Sequence, residues 1–271
     1  MELSVIVMSC DKYADLWSPF AENFKKYWPT CPYPVYLVSE TQVSNSEIFS
    51  ETILCGKGKE WTERLEIAIN QVNSDFTILL CEDYLLCDFV DSAKINELLV
   101  FAKNNNVGNL RMIPNPKPGR HLDINLNFSV YEKGSQYRVA TQAGIWQRGY
   151  LKKLIIVKSS IWGFERLGSE FSNSLDEQVL CTTNHFFPFI DAIHKGHWET
   201  NAIALCERNG IQIDFSRRKS MTNLLYLKKY GKGATFDLAP KMITNIMNSN
   251  SRAKAMILGS TSKMRKTTHE F

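Results

Sequence analysis

Two acidic residues, Glu82 and Asp83, directly follow an apolar run at residues 76–81. Such a run is typical of a strand buried in a sheet, and open α/β sheets bind ligands beyond the carboxyl ends of their strands. Carboxylates at this position can hold a hard divalent cation together with phosphate and water oxygens. The pair therefore predicts a ligand crevice at a strand end, with an ordinary charged turn as the alternative.

The loop after the first predicted strand and the start of a later helix are expected to reach the same crevice. Ser9 and Asp11 lie in that loop, which faces the crevice in a doubly wound sheet, and Asp11 can accept hydrogen bonds from a base or a ribose. Arg64 lies in the first turn of the helix, where its guanidinium can bind a diphosphate through two hydrogen bonds. The alternatives are a solvated loop acid for Asp11 and a surface ion pair of Arg64 with Glu60 or Glu63.

The second half of the chain supplies candidates for contact with a sugar or an acceptor. Gln142 and Gly144 belong to a short segment whose small residues let a backbone approach a ligand closely. Trp146 in the same segment offers a flat apolar face to a sugar ring. The alternative is that Trp146 is a core residue that packs against a tight bend. His194 and His197 lie three residues apart and can ligate a metal, but a substrate loop is the preferred interpretation.

Glu165 is the candidate general base. It ends the segment Trp162-Gly163-Phe164-Glu165, which we interpret as a loop with two aromatic residues beside a carboxylate. A carboxylate that is partly shielded from water suits proton abstraction. The alternative is an amphipathic loop with a surface pair between Glu165 and Arg166.

Strands and helices alternate over the first 113 residues, which predicts a mostly parallel sheet covered by helices. No Gly-x-Gly-x-x-Gly follows the first strand and no P-loop motif occurs in the sequence, so the Rossmann dehydrogenase and P-loop interpretations lose their main support. The predicted strands are 3–8, 35–38, 52–54, 76–81 and 110–113, and the predicted helices are 17–28, one from residue 61 and one from residue 91 or 92.

The pattern is less regular after residue 113. We predict a hairpin of 125–131 with 137–140, helices at 150–157 and 199–209, and strands at 188–193 and 211–215. Ser174 and Glu177 have the spacing of a capping box, which predicts a helix towards Asn184. From Arg217 onward the chain is rich in lysine and arginine.

The composition is ordinary for a soluble globular protein, with 44% apolar and 22% charged residues among 271 and a net charge of +4. Seven cysteines include no C-x-x-C pair, which predicts reduced core residues of a cytosolic protein. The N-terminus lacks the cationic region of a signal peptide. No apolar run approaches the length of about 18 residues that a membrane span needs.

In their order, six segments resemble bacterial glycosyltransferases of the GT-A fold, of the type found in capsule, exopolysaccharide or lipopolysaccharide gene clusters. The segments are 5–13, 31–37, 61–65, 79–84, 142–146 and 162–165, within a likeness that spans about residues 3–215. The resemblance implies an α/β fold with a mostly parallel, mixed sheet flanked by helices. It also implies one domain at 1–237, with a nucleotide-sugar half at 1–113 and an acceptor half at 114–237, and a basic, partly disordered extension at 238–271.

The resemblance implies an enzyme of the hexosyltransferase type that uses a nucleotide-diphosphosugar donor, a UDP-sugar above all. Donor contacts fall on Ser9, Asp11, Arg64, Glu82 and Asp83. The family's Asp-x-Asp binds manganese or magnesium, and the corresponding residues here are Glu82, Asp83 and Tyr84. Asp83 is therefore the candidate metal ligand, and charge neutralisation by Arg64 and lysines is the metal-free alternative.

The same resemblance implies that Glu165 deprotonates an acceptor hydroxyl and that the reaction inverts the sugar. The implied acceptor is a glycan or a lipid-linked sugar. Five residues are expected to contact the acceptor or the donor sugar: Gln142, Gly144, Trp146, Trp162 and His197. The basic C-terminus predicts peripheral attachment of a cytoplasmic protein to the anionic inner face of a membrane, with a solvated helix and a frayed end as the alternative. No nucleic-acid partner is expected. A nucleotidyltransferase, or a non-catalytic sugar- or nucleic-acid-binding protein, remains the alternative. The loop at 9–13 lacks the glycines that a nucleotidyltransferase needs to grip triphosphate.

Overall fold

A mixed sheet of nine strands organises the chain, and helices cover both of its faces. The computed structural model describes residues 2–116, 118, 120–123 and 127–221, with the backbone alone for 120–123. The strands are β1 Leu3–Met8, β2 Val35–Ser39, β3 Glu51–Leu54, β4 Phe76–Cys81, β5 Tyr84–Leu86, β6 Val107–Arg111, β7 Arg120–Asp123, β8 Phe128–Val130, β9 Gly144–Gln147, β10 Gln178–Thr182, β11 Phe189–Asp191, β12 Ile193–His194 and β13 His197–Trp198. The α-helices are α1 Trp17–Tyr27, α2 Trp61–Gln71, α3 Ser92–Asn104, α4 Arg148–Leu154, α5 Ile161–Phe171 and α6 Thr200–Arg208.

The order of strands in the sheet is β3-β2-β1-β4-β9-β6-β10-β8-β7. The first four strands are parallel, and β6 is parallel to β10. β9 is antiparallel to both β4 and β6, so β4 and β6 run in the same direction. The carboxyl ends of β1, β2, β3, β4, β6 and β10 therefore lie along one edge together with the amino end of β9, and we call this the crevice edge.

Alternation along β1 divides the core between the two faces of the sheet, because successive side chains of a strand point to opposite sides. Val5 and Val7 pack with α1, α3 and α6, whereas Ile6 and Met8 pack with α2, α4 and α5. No helix in the described part of the chain is both long and apolar enough to cross a membrane.

The α/β fold class and the elements predicted over the first 113 residues are confirmed, with shifts of a few residues at their ends. Asp91 is the N-cap of α3, because its side chain accepts hydrogen bonds from the amides of Ala93 at 2.9 Å and Lys94 at 3.1 Å. The short strand β5, which begins directly after Asp83, was not predicted.

Several predictions for the second half are wrong. The capping-box helix from Ser174 is replaced by β10, which pairs with β6 and β8 and is buried after its first residue, because tertiary pairing overrides local propensity. Residues 137–140 and 211–215 form no strand, and β8 pairs with β7 and β10 instead. The segment 162–165 is the first part of α5 and not a loop, with Ser160 as its N-cap. The predicted extension at 238–271 lies outside the described residues.

Candidate active site

The parallel register brings the groups that follow β1 and β4 together at the crevice edge. Met8 pairs with Cys81, so the loop after β1 and the Glu82–Asp83 pair leave the sheet side by side. The residues after β1 form a 3-10 helix at Asp11–Leu16. This confirms that the N-terminal loop and the acidic pair lie at the same edge of the sheet.

Glu82 is a buried acid, with 8% of its surface exposed. Burial and the neighbouring charge of Asp83 raise the pKa of Glu82 well above its ordinary value, and Arg218 and Arg64 oppose that shift. Two carboxylates are thus held close together in a shielded position near two guanidinium groups. Such a site favours a ligand that brings or shares positive charge.

We expect Glu82→Gln to raise the thermal stability at pH 8 and to leave it almost unchanged at pH 4. The raised pKa means that Glu82 contributes stability below its unfolded pKa of about 4.3, and this contribution is lost as pH rises towards the folded pKa. A folded-state pKa that lies one above the unfolded-state pKa corresponds to about 1.4 kcal/mol of stability. For a chain of this size, each kcal/mol changes the melting temperature by about 2–4 °C. Thermal melts in EDTA between pH 4 and pH 8 measure the effect, with the exposed Glu66→Gln as control. An equal gain at both pH values would contradict the burial of this charge.

Arg64 has an unsatisfied donor at the crevice edge. Its Nη1 donates to the carbonyl of Lys59 at 2.6 Å, but its Nε is buried and has no hydrogen-bond partner within the described residues. Burial raises the pKa of the Cys10 thiol, and the positive charge of Arg64 opposes that shift, as it does for Glu82. An anionic oxygen would satisfy the buried Nε–H and pair with the guanidinium.

Asp11 and Ser9 shape the loops around the crevice. The Asp11 carboxylate accepts hydrogen bonds from the amides of residues 40–42 and from the hydroxyl of Thr41 at 2.5 Å. These bonds outweigh partial burial and hold the pKa of Asp11 below its ordinary value. Ser9 Oγ accepts from Trp17 Nε1 at 2.8 Å. Both side chains are therefore engaged within the protein. The hydrogen bonds between Asp11 and Glu40 bring Glu40, which sequence analysis missed, to the same loop.

A buried ion pair joins the loop after β1 to the last described residues. Arg218 Nε donates to Asp15 Oδ2 at 2.8 Å, and its Nη2 donates to the carbonyl of Lys12 at 2.8 Å. The guanidinium carbon lies 4.1 Å from the centre of the Tyr13 ring. We call these four groups the Arg218 latch. The sequence alone does not identify the Arg218 latch, because Arg218 belongs to a run of basic residues that resembles a solvated tail.

Glu165 is anchored at the crevice edge by Thr141, which precedes β9. The amide and the hydroxyl of Thr141 both donate to Glu165 Oε1, at 2.7 and 2.8 Å. The other carboxylate oxygen takes no hydrogen bond from the described part of the chain. Burial raises the pKa of the Cys81 thiol at the end of β4, and the negative charges of Asp83, Glu82 and Glu165 add to that shift.

A fully buried arginine supports the segment that carries Thr141. Arg111, the last residue of β6, donates from Nη2 to the carbonyls of Tyr137 and Arg138 at 2.6 and 2.5 Å. It also stacks on Tyr131, with its guanidinium carbon 3.9 Å from the ring centre. Thr141 and Arg111 are further residues that sequence analysis did not single out.

The remaining predicted contacts do not form one group. Trp146, expected to face a sugar, is wholly in the core between Tyr150 and Phe164, so it leaves no face for a ligand and the expectation is wrong. Gly144 accommodates β6 instead of a ligand, since a Cβ there would lie 3.0 Å from the carbonyl oxygen of Leu110. Gln142 lines a separate cavity of about 470 Å³. His197 lies in the β12–β13 hairpin with its Nδ1 2.9 Å from the carbonyl of Lys195.

The acidic pair can hold a cation only with help from a ligand. No group of three or more His, Cys, Asp or Glu side chains suited to a metal ion occurs among the described residues. One or two carboxylates are nevertheless enough for magnesium when phosphate and water oxygens complete the shell. The residues present therefore fit a cation that arrives with a diphosphate.

No protein-family model and no curated protein sequence matches the chain. Among solved structures it is similar to S. aureus TarS 1–349, with 12% identity and a TM-score of 0.43 over 70% of this chain and 59% of that one. It is also similar to glucosyl-3-phosphoglycerate synthase from Mycobacterium tuberculosis in complex with Mn²⁺ and UDP-glucose (9% identity, TM-score 0.46, covering 78% and 80%). A third similar structure is a cytidylyltransferase from Leptospira borgpetersenii, with 13% identity and a TM-score of 0.41 over 82% of this chain and 98% of that one. Scores below 0.5 do not assign a family, and the chain spans only 59% of the TarS chain.

Proposed function

We propose that this protein is a GT-A-like glycosyltransferase that moves a sugar from a nucleotide-diphosphosugar, a UDP-sugar above all, to a hydroxyl of a glycan or lipid-linked acceptor. One observation supports it most directly. Arg64, whose buried Nε has no hydrogen-bond partner within the described residues, and the Glu82–Asp83 pair lie at the same edge of the sheet as Glu165, which Thr141 anchors. An anion-binding group, an acidic pair and a candidate base at one edge are what sugar transfer requires.

On the donor side, the guanidinium of Arg64 would bind the diphosphate and stabilise the charge that develops on it as the sugar leaves. Manganese or magnesium would be held by Asp83 with diphosphate and water oxygens, and when bound it would offset the same charge. Asp11 and Ser9 would keep the loops around the nucleotide in place through their bonds to residues 40–42 and to Trp17.

On the acceptor side, Glu165 would act as general base. The acceptor hydroxyl oxygen attacks C1 of the sugar, the bond from C1 to the diphosphate oxygen breaks, and its electron pair leaves with the diphosphate. The hydroxyl proton passes to the Glu165 oxygen that Thr141 does not hold. Attack from the face opposite the diphosphate inverts the configuration at C1.

The setting that fits this activity is surface polysaccharide synthesis in the cytoplasm, on or near the inner face of the membrane. Basic residues from Arg217 onward, apart from the buried Arg218, would meet anionic headgroups near lipid-linked acceptors. Nucleic acid is not an expected partner.

Turnover of nucleotide-sugars tests the proposal. The protein is incubated with a panel of nucleotide-sugars, with and without manganese, and free nucleoside diphosphate is measured. We expect release from at least one donor, and a loss of about 10²-fold or more in Asp83→Asn, which is the size of effect seen when one electrostatic group is removed from a catalytic site.

Asp88→Asn is the matched control, because Asp88 is exposed, lies outside the site and should leave turnover unchanged. If no nucleotide-sugar is turned over or shifts the melting temperature, the proposed function is wrong. Release of pyrophosphate from a nucleoside triphosphate and a sugar phosphate would instead indicate a nucleotidyltransferase.

A further inference from the structure

A second cavity adjoins Glu165 between α5 and the segment at 134–137. Its volume is about 730 Å³, within the range of about 300–1,000 Å³ that is typical of small-molecule sites. We call it the aromatic cleft and define it by six of its lining residues: Gln136, Tyr137, Trp162, Glu165, Arg166 and Asn173.

Two large aromatic side chains line this cleft and remain open to water. Trp162 is 76% exposed, more than any other large apolar side chain of the described residues, and Tyr137 is 56% exposed. Burying a side chain of this size is worth about 1.5–3 kcal/mol. Two such side chains left exposed in one cavity are therefore a feature of a binding surface more than of a folded core.

The backbone is strained where it presents Tyr137. This residue has a φ of +53°, a conformation that bulky residues rarely adopt and that costs on the order of 1–3 kcal/mol. The strain is held in place from inside, because the wholly buried Arg111 donates to the carbonyls of Tyr137 and Arg138. The fold thus uses a buried cation to hold one exposed aromatic ring at the cleft.

The chemistry of the lining matches a neutral glycan. Pyranose rings have apolar C–H faces that stack on aromatic rings, and a rim of hydroxyls that bonds to amides such as Gln136 and Asn173. The lining contains two carboxylates, Glu165 and Glu170, and one guanidinium, that of Arg166, so an anionic sugar would meet a net negative charge.

We infer that the aromatic cleft binds the acceptor as a chain of uncharged pyranose units, stacked on Trp162 and Tyr137, with its reactive hydroxyl at Glu165. This inference deepens the proposed function and rests on it for the identity of the reaction. The binding itself does not depend on the donor site, and it can be measured without any donor.

The test is binding of neutral oligosaccharides of glucose, galactose and N-acetylglucosamine to the full chain, by saturation-transfer NMR and titration without donor. We expect binding to the wild type, an affinity loss of about tenfold or more in Trp162→Ala and Tyr137→Ala, and partial recovery in Trp162→Phe. Phe89→Ala is the control, because Phe89 is another exposed ring, 67% accessible, that does not line the cleft. Melting temperatures confirm that each variant is folded.

Three outcomes would overturn the inference: no neutral oligosaccharide binds, uronic-acid oligosaccharides bind better than neutral ones, or Trp162→Ala binds as the wild type does. Nucleoside diphosphate release from donors is measured on the same wild-type sample. If oligosaccharide binding depends on Trp162 but no donor is turned over, the cleft is a glycan site and the proposed transferase activity is wrong.

Discussion

Glu165→Gln is expected to slow sugar transfer by about 10²–10⁴-fold, the usual contribution of a general base. Glutamine keeps the oxygen that accepts from the amide and hydroxyl of Thr141, so the position of the side chain is retained while the ability to take a proton is lost. Steady-state kinetics with the best donor should show the loss in kcat, with little change in the KM for the donor.

Two further variants make this experiment specific. Thr141→Val removes the hydroxyl donor and keeps the amide, and we expect a loss of roughly 10- to 100-fold, because a hydrogen bond to a charged group is worth about 1.5–3 kcal/mol. Glu207→Gln, an exposed acid on α6, should retain full activity. Full activity in Glu165→Gln would show that another group accepts the proton, while the assignment of Arg64 and Asp83 to the donor would still stand.

Arg218→Ala is expected to destabilise the protein by about 3–5 kcal/mol, since breaking a buried pair leaves an uncompensated charge. The Asp15 side chain is 1% exposed, and its Oδ1 has no hydrogen-bond partner within the described residues even with the latch intact. At about 2–4 °C per kcal/mol, the melting temperature should fall by roughly 10 °C. Differential scanning calorimetry measures the change.

The neighbouring Arg217 offers the matched control, because it is exposed and Arg217→Ala should change the melting temperature by no more than about 1–2 °C, as for an ordinary surface substitution. Replacing both partners, as Asp15→Leu with Arg218→Met, should recover most of the loss, since apolar replacements of a buried pair are often neutral. Equal destabilisation by the two single arginine variants would contradict a specific role for Arg218.

Local sequence patterns were sufficient for the half of the site that depends on parallel strands. An apolar run that ends in Glu82 and Asp83 fixes both the strand and its carboxyl end, and the register of parallel strands then carries the loop at Ser9 to the same edge. The position of Arg64 in the first turn of α2 also follows from periodicity alone.

Long-range packing decides the rest, and it leaves little trace in the sequence. Trp146 and Trp162 are the same residue type in similar apolar surroundings, yet one is wholly buried and the other 76% exposed. The order of β9 in the sheet determines the first, and the orientation of α5 determines the second. Thr141 could be recognised as a partner of Glu165 only once β9 was known to pair with both β4 and β6.

The Arg218 latch also sets the order in which the site is completed during synthesis. Arg218 lies 203 residues after Asp15, so at about 5–20 residues per second the ribosome needs roughly 10–40 s to supply the partner. Over that interval the loop after β1 carries the Asp15 carboxylate without its counter-charge. A nascent chain therefore secures this loop only after residue 218 has been added, and C-terminal truncations that remove residue 218 should fold with this loop unsecured.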